Sequence, residues 1–296
     1  MGLRSDRRSV LRVRAGRGSR RPDALAVEEP LEIRVGGASR AITMRTPGDD
    51  FELAAGFLLA EGVITGPDQI AGMRYCDDGR PDPLQNIVDV TLRPGAGNAG
   101  DAAGPAACAG HGSTDDAAPE RGVAVAARRN LVTSACGICG RESLDEVRMQ
   151  ARWSLGDDDV TVPLEVLVEL PERLRTAQAV FERTGGLHAA GLFTADGELL
   201  VTREDVGRHN AVDKVIGWAL TQGRVPARGL ILQVSGRISF ELVQKAWLAG
   251  VPVFSAVSAP STLAVDLAGE AGMTLAGFVR DGGLNLYAGA ERVTGL

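Results

Sequence analysis

Apolar residues first fall into a clear rhythm at 26–45. Leu31, Ile33 and Val35 alternate with charged positions, Gly36-Gly37 interrupts the run, and Ile42 and Met44 resume it. Alternation of period two on both sides of a glycine pair predicts a β-hairpin. The period then lengthens. Phe51, Ala54, Ala55, Leu58 and Leu59 share one face of a helix over about 50–61, with Pro47 in its opening turn and acids at its positive end. Residues 86–93 read as another strand. Ser143-Leu144-Asp145-Glu146 matches a capping box and predicts a helix start near 143. A further helix opens at Pro163-Leu164 and runs to about 184.

Beyond 184 strands and helices take turns. Strands at 187–194 and 198–202 flank Ala195-Asp196-Gly197, a hairpin turn. Helices are predicted over 210–222, 238–249 and 260–271, and strands over 230–235, 251–256, 274–279 and 284–288. Such alternation implies an α/β layer with a largely parallel core. The stretch 94–122 breaks the pattern. It is rich in Gly, Ala, Asp and Pro, with almost no large apolar side chain, and reads as a flexible insert.

Charge divides the chain further. Residues 1–22 hold eight arginines and one acid, which leaves 24 basic and 37 acidic residues, about −13, in the remainder. The first 22 residues are therefore read as a disordered basic tail. Residues 23–142 form an N-terminal β-rich/α region with the insert, and 143–296 an α/β ligand-binding domain. An acidic body argues against nucleic-acid binding. No apolar run approaches the roughly 20 residues of a membrane span. Arg7-Arg8 is followed by no apolar stretch, so export is not expected.

The chemistry centres on Cys136-Gly137-Ile138-Cys139. Paired thiols at this spacing serve dithiol–disulfide redox, sulfur relay through a persulfide, or half of a zinc site. The zinc reading would add Cys108 and His111 to complete a Cys₃His set. Polar segments offer a ligand site. In the 203–214 run, Asp205, Arg208 and His209 form a candidate pocket wall. The 235–240 segment, with Ser235 and Arg237, and the 258–262 segment, with Ser258 and Ser261, each stand at a helix start after a strand. Two such anion cradles suit a diphosphate at the carboxyl edge of a sheet. Phe278, Val279, Arg280, Asp281, Gly282 and Gly283 follow; they suit either purine stacking or a plain hairpin turn.

These blocks together resemble the formate dehydrogenase accessory sulfurtransferase family (FdhD/NarQ). The resemblance runs through 29–34, 45–48, 52–58, 134–140, 184–190, 203–214, 235–245, 255–264 and 274–280. It implies a cytidine-deaminase-like layered sheet with helices. It also implies a cytoplasmic sulfur carrier and homodimer that takes sulfur from a cysteine desulfurase. The sulfur would pass to the molybdenum bis(molybdopterin guanine dinucleotide) cofactor, a bound substrate, before that cofactor enters apo-formate dehydrogenase. Cys136 then falls on the persulfide position, Cys139 on the paired thiol, and 278–283 on the segment that binds the cofactor or GDP-like nucleotides; no permanent metal is implied. A non-catalytic cofactor chaperone is the alternative. Deamination is not expected, because His188 is followed by Ala189-Ala190 where a zinc deaminase carries its glutamate.

Overall fold

The computed structural model describes residues 3–76, 85–95 and 151–296. The CGIC segment, the 96–122 part of the insert and the capping box at 143 lie outside the described residues.

The first 22 residues depart from the disorder expected of them. β1 (Ser5–Arg14) and β2 (Arg17–Ala26) pair antiparallel along their whole length, from Ser5↔Ala26 to Arg14↔Arg17. Ala15 and Gly16 turn the chain with positive φ at both positions, the geometry that matches strand twist in a two-residue hairpin. The arginines conceal an alternation, because Leu11 and Val13 are interleaved with Arg12 and Arg14, long side chains that are apolar along their stems. The base is anchored by Arg4, 2.5 Å from Asp49, and by the Val27 N–H donating to the Arg4 carbonyl.

β3 (Glu29–Val35) and β4 (Ala38–Arg45) form the expected hairpin about Gly36-Gly37. α1 (Asp50–Ala60) follows, starting after Pro47 rather than containing it. β5 (Ile70–Tyr75) was not anticipated, since its exposed positions carry little alternation; it pairs with β6 (Ile87–Leu92). The sheet order is β4-β3-β6-β5, with β3 and β6 parallel.

β7 (Val162–Pro163) leads into α2 (Leu164–Thr176) and α3 (Ala179–Thr184). The single helix expected to 184 is thus two. The buried Glu204 carboxylate accepts from the N–H groups of Val180 at 2.9 Å and Phe181 at 2.7 Å, capping a new helix start. β8 (His188–Thr194) and β9 (Leu199–Asp205) form the hairpin around 195–197, and β9 runs three residues beyond expectation because His188 pairs with Asp205. Then come α4 (Arg208–Thr221), β10 (Leu230–Val234), α5 (Phe240–Leu248), β11 (Val253–Ala256), α6 (Thr262–Ala271), β12 (Thr274–Arg280), β13 (Gly283–Ala288) and the short β14 (Val293–Thr294), which pairs with β7. The six-stranded sheet has the order β13-β12-β11-β10-β8-β9. Only β10, β11 and β12 are parallel, each joined to the next by a helix; the outer strands come from hairpins and run antiparallel.

Successive residues of these strands face opposite ways. Leu192, Leu232, Val234, Phe254 and Leu275 meet α4, α5 and α6, while Phe193, Ile231 and Val253 meet Leu167, Leu170 and Leu174 of α2. α1 lies across α4 and carries the four-stranded sheet, so Leu31, Ile33 and Val90 belong to the same apolar cluster as Val212 and Leu232. The crossing is backbone against backbone. A Cβ on Gly56 would stand 1.9 Å from the Asp213 carbonyl oxygen, and one on Gly217 1.8 Å from that of Glu52.

Candidate functional site

The parallel strands end at one edge of the large sheet, and a cleft of about 740 Å³ opens there. Ser235 after β10, Val257 after β11 and Arg280-Asp281 at the end of β12 form one wall; His188 and Val206 lie beside them. Arg175 of α2, Phe181 of α3 and the Gly185-Gly186 turn form the other. Clefts outside the carboxyl ends of parallel strands are the usual ligand positions of open α/β sheets.

Of the residues expected at a ligand site, Ser235, Arg280 and Asp281 line this cleft. Ser235 is held rigidly, because its Oγ accepts from the Ala189 N–H at 2.8 Å and its own N–H donates to the Ala189 carbonyl at 3.0 Å. Phe278 has a positive φ of 53°, which is strained for an aromatic residue, and sits in a bulge between Gly277 and Arg280. Its ring lies 5.3 Å under the Arg280 guanidinium. Val279 is fully buried. Asp281 and Gly282 make the positive-φ turn that returns to Gly283, so the plain hairpin and a place at the cleft coexist in one segment.

The two expected anion cradles do lie side by side. The Ile238 N–H donates to the Ala259 carbonyl at 3.1 Å and the Ser261 N–H to the Ile238 carbonyl at 3.0 Å. Each of those donors is therefore engaged with a carbonyl of the opposite segment. The Ser261 hydroxyl caps α6 by accepting from the Ala264 N–H, Ser258 offers its carbonyl to the Phe278 N–H, and Arg237 is exposed. None of Arg237, Ser258 and Ser261 lines the cleft.

The 203–214 run, read as too polar for a core, is largely buried. Asp205 is fully enclosed and accepts from the N–H groups of Thr46 at 3.1 Å and Gly207 at 2.9 Å and from Asn210 Nδ2 at 3.0 Å, with Lys214 Nζ 2.7 Å away. Lys214 also donates to the Thr46 carbonyl, and Asn210 to that of Met44. Asp205 thus joins the two sheets rather than facing a ligand. Asp213 pairs with Lys245 at 2.7 Å, its carboxyl nonetheless pushed up by burial. His209 turns toward the start of α5, with Nε2 3.3 Å from Ser239 Oγ and 3.9 Å from a Glu241 carboxylate oxygen. Interaction with the His209 ring is the largest influence drawing the Glu241 carboxyl down to about 2.

Three cleft groups, His188, Arg175 and Phe181, and Arg208, whose charge acts on His188 from outside the cleft lining, escaped sequence reasoning or were underweighted by it. His188 packs its ring against Gly236, where a Cβ would come within 3.4 Å of Nδ1. Burial, and then the Arg208 charge, lower its pKa below the usual histidine value. Arg208, at the first turn of α4, has a buried Nε with no hydrogen-bond partner among the described residues. Arg175 lies 4.7 Å over the Phe181 ring. Arg175 and Phe181 left no signal, since α2 and α3 read as one amphipathic helix. A part-buried guanidinium whose Nε has no partner among the described residues, beside a histidine, suits an anionic ligand, because each can donate to a charged acceptor. Cys136 and Cys139, and the Cys108/His111 pair of the zinc reading, lie outside the described residues.

A mixed α/β sheet with a cation-bearing cleft at its carboxyl edge defines an open-sheet α/β protein. The FdhD/NarQ family profile matches residues 26–294, and the chain belongs to that family. It is 52% identical over 296 residues to a Streptomyces avermitilis protein named sulfur carrier protein FdhD, covering 99% of this chain and 97% of that one. Proteins of the same name from Nocardia farcinica and Mycobacterium tuberculosis are 52% and 46% identical, covering 97% and 99% of this chain and 94% and 100% of theirs. In fold it is similar to a protein assigned as a formate dehydrogenase accessory protein from Desulfotalea psychrophila, with a TM-score of 0.72 at 23% identity, covering 98% of this chain and all of the other.

Proposed function

We propose that this chain is a sulfur carrier and sulfurtransferase in the maturation of formate dehydrogenase. Family membership with relatives named as sulfur carriers supports the class of chemistry. The observation that carries the ligand assignment is the sheet-edge cleft lined by His188, Arg175 and Arg280, with Arg208, whose Nε has no partner among the described residues, acting on His188 from beside it. In this reading the Cys136 thiolate attacks the outer sulfur of a persulfide on a cysteine desulfurase. A new S–S bond forms on Cys136 and the donor leaves as a thiolate. The Cys139 thiolate then attacks the inner sulfur, releases hydrosulfide to the acceptor, and leaves a Cys136–Cys139 disulfide that a cellular dithiol reduces.

The acceptor is the molybdenum bis(molybdopterin guanine dinucleotide), bound as substrate before it enters apo-formate dehydrogenase. Its guanosine diphosphate portion has a pyrophosphate for Arg208 and His188 and a purine for the Arg280–Phe278 or Arg175–Phe181 pair. Holding the acceptor still while a cysteine approaches accounts for rate by proximity. The same reading takes the sheet as cytidine-deaminase-like, the protein as cytoplasmic and homodimeric, and the work as free of nucleic acid and membrane. Among the described residues no helix is long and apolar enough to cross a membrane.

The test is intact mass after incubation with a cysteine desulfurase and cysteine. The wild-type chain gains one sulfur atom, and Cys136→Ala does not. A gain that survives Cys136→Ala removes that residue from the role of acceptor.

A further inference from the structure

The β1–β2 hairpin is built unlike the rest of the molecule. Residues 1–26 hold eight arginines against Asp6 and Asp23, a net +6, so the rest of the chain carries 24 basic and 36 acidic residues, a net −12. The ladder sorts its side chains. Leu11 and Val13 share one face with Arg20, while Arg12, Arg14, Arg17 and Arg21 lie on the other. Every position from 11 to 22 is exposed, and Leu11 and Val13 are each 61% exposed. Arg7, Arg12, Arg14, Arg17, Arg20 and Arg21 meet no carboxylate among the described residues; Arg4 and Arg8 do.

Among the described residues the hairpin is fixed at its base, through Arg4–Asp49, the Val27 N–H and the contact of Ala26 with the Gly186 turn. Beyond it a ten-residue strand spans roughly 33 Å. A two-stranded ribbon of this kind is marginal in water by itself, and its edges present open hydrogen-bonding groups. Arginine mixed with exposed aliphatic side chains is the composition of a protein interface. There is no aromatic residue in 1–26 on which a base could stack, and the acidic body repels a polyanion.

The geometry points to a second copy of this chain as the occupant. Each copy's hairpin lies on the acidic body of the other about a two-fold axis, with the arginine face meeting carboxylates and Leu11 and Val13 covered at the contact. This names the surface for the homodimer included in the proposed function, and rests on that reading for nothing else.

Sedimentation velocity of the full chain at low and high salt decides it. Wild type is a dimer whose affinity falls with salt. Arg12→Glu/Arg14→Glu/Arg21→Glu weakens the dimer about tenfold or more through lost and reversed charge pairs. Leu11→Ser/Val13→Ser also weakens it, and both variants keep the wild-type circular dichroism spectrum, since every substituted position is exposed. A dimer indifferent to these substitutions overturns the assignment of the hairpin while leaving the homodimer standing. A monomeric wild type overturns both. A monomer that binds a single-stranded oligonucleotide, or anionic phospholipid vesicles, through the same arginines overturns the inference in favour of that ligand.

Discussion

In the proposed function Arg208 and His188 hold the diphosphate. A guanidinium whose Nε is buried with no partner among the described residues holds unused donor capacity. Arg208→Gln is expected to cost about 1.5–3 kcal/mol of GDP affinity, the range for hydrogen bonds to charged groups, and calorimetric titration measures it. Unchanged affinity would place the phosphates elsewhere. His188 adds a pH dependence. Its pKa in the free protein is lowered by burial and by Arg208, so near neutral pH the ring is uncharged. A bound diphosphate favours the protonated ring and raises that pKa. Affinity therefore gains as pH falls from the bound-state pKa toward the lowered free value. The ratio of wild-type to His188→Gln affinity isolates this effect from the titration of the phosphate itself, and it should widen as pH falls from 8 to about 5.5, across the histidine range. A ratio constant with pH would remove His188 from ligand contact. Neither residue was equally legible beforehand. Arg208 stood out in a charged run, whereas His188 is an ordinary strand residue until β10 and Gly236 are placed beside it.

Among the elements, the α1–α4 crossing carries the sharpest constraint. Gly56 and Gly217 each leave room for the other helix's carbonyl, so Gly56→Ala and Gly217→Ala force the helices apart. Helix propensity alone would favour alanine by about 1 kcal/mol. The clash reverses that sign, since overpacking a rigid backbone contact costs about 3 kcal/mol or more. Thermal melts should show either variant less stable than wild type; a higher Tm would mean that the helices are free to separate. Helix α1 and the hairpin beside it were legible in the sequence because period and turn residues are local. The partition of 163–184 into α2 and α3 was not, because the group that caps α3 is Glu204, on a strand twenty residues further on. The parallel share of the large sheet was overestimated for a similar reason. Alternation of strands and helices predicts crossovers, but which strands pair through hairpins is decided by sheet order.

The whole molecule is tied together through the 203–214 segment. Asp205, Asn210 and Lys214 bond to Thr43, Met44 and Thr46, and Arg203 pairs with Glu52 at 2.5 Å. Removing one partner leaves the other charge buried, so Asp205→Ala is expected to cost about 3–5 kcal/mol. Denaturant unfolding measures it, and a loss below about 1 kcal/mol would show that Lys214 finds another acceptor. For the same reason residues 151–296 should not fold alone. Their α4 would expose Ala211, Val212 and Val215, which the first 60 residues help to cover. A cooperative melt of that fragment would contradict the shared core.

By itself the sequence determined the local periods, the hairpin turns, the paired thiols and the division of charge between the first residues and the rest. Each of these is written in neighbouring residues or in totals, and needs no knowledge of what packs on what. Only the tertiary structure decided that the 203–214 charges are internal, that the two expected cradles bond to each other, and that His188 and Phe181 face one cleft. It also decided that the arginine-rich start of the chain is a β-ladder. Burial and pairing across tens or hundreds of positions depend on which elements meet, and a charged residue reads the same in sequence whether it faces solvent or a buried partner.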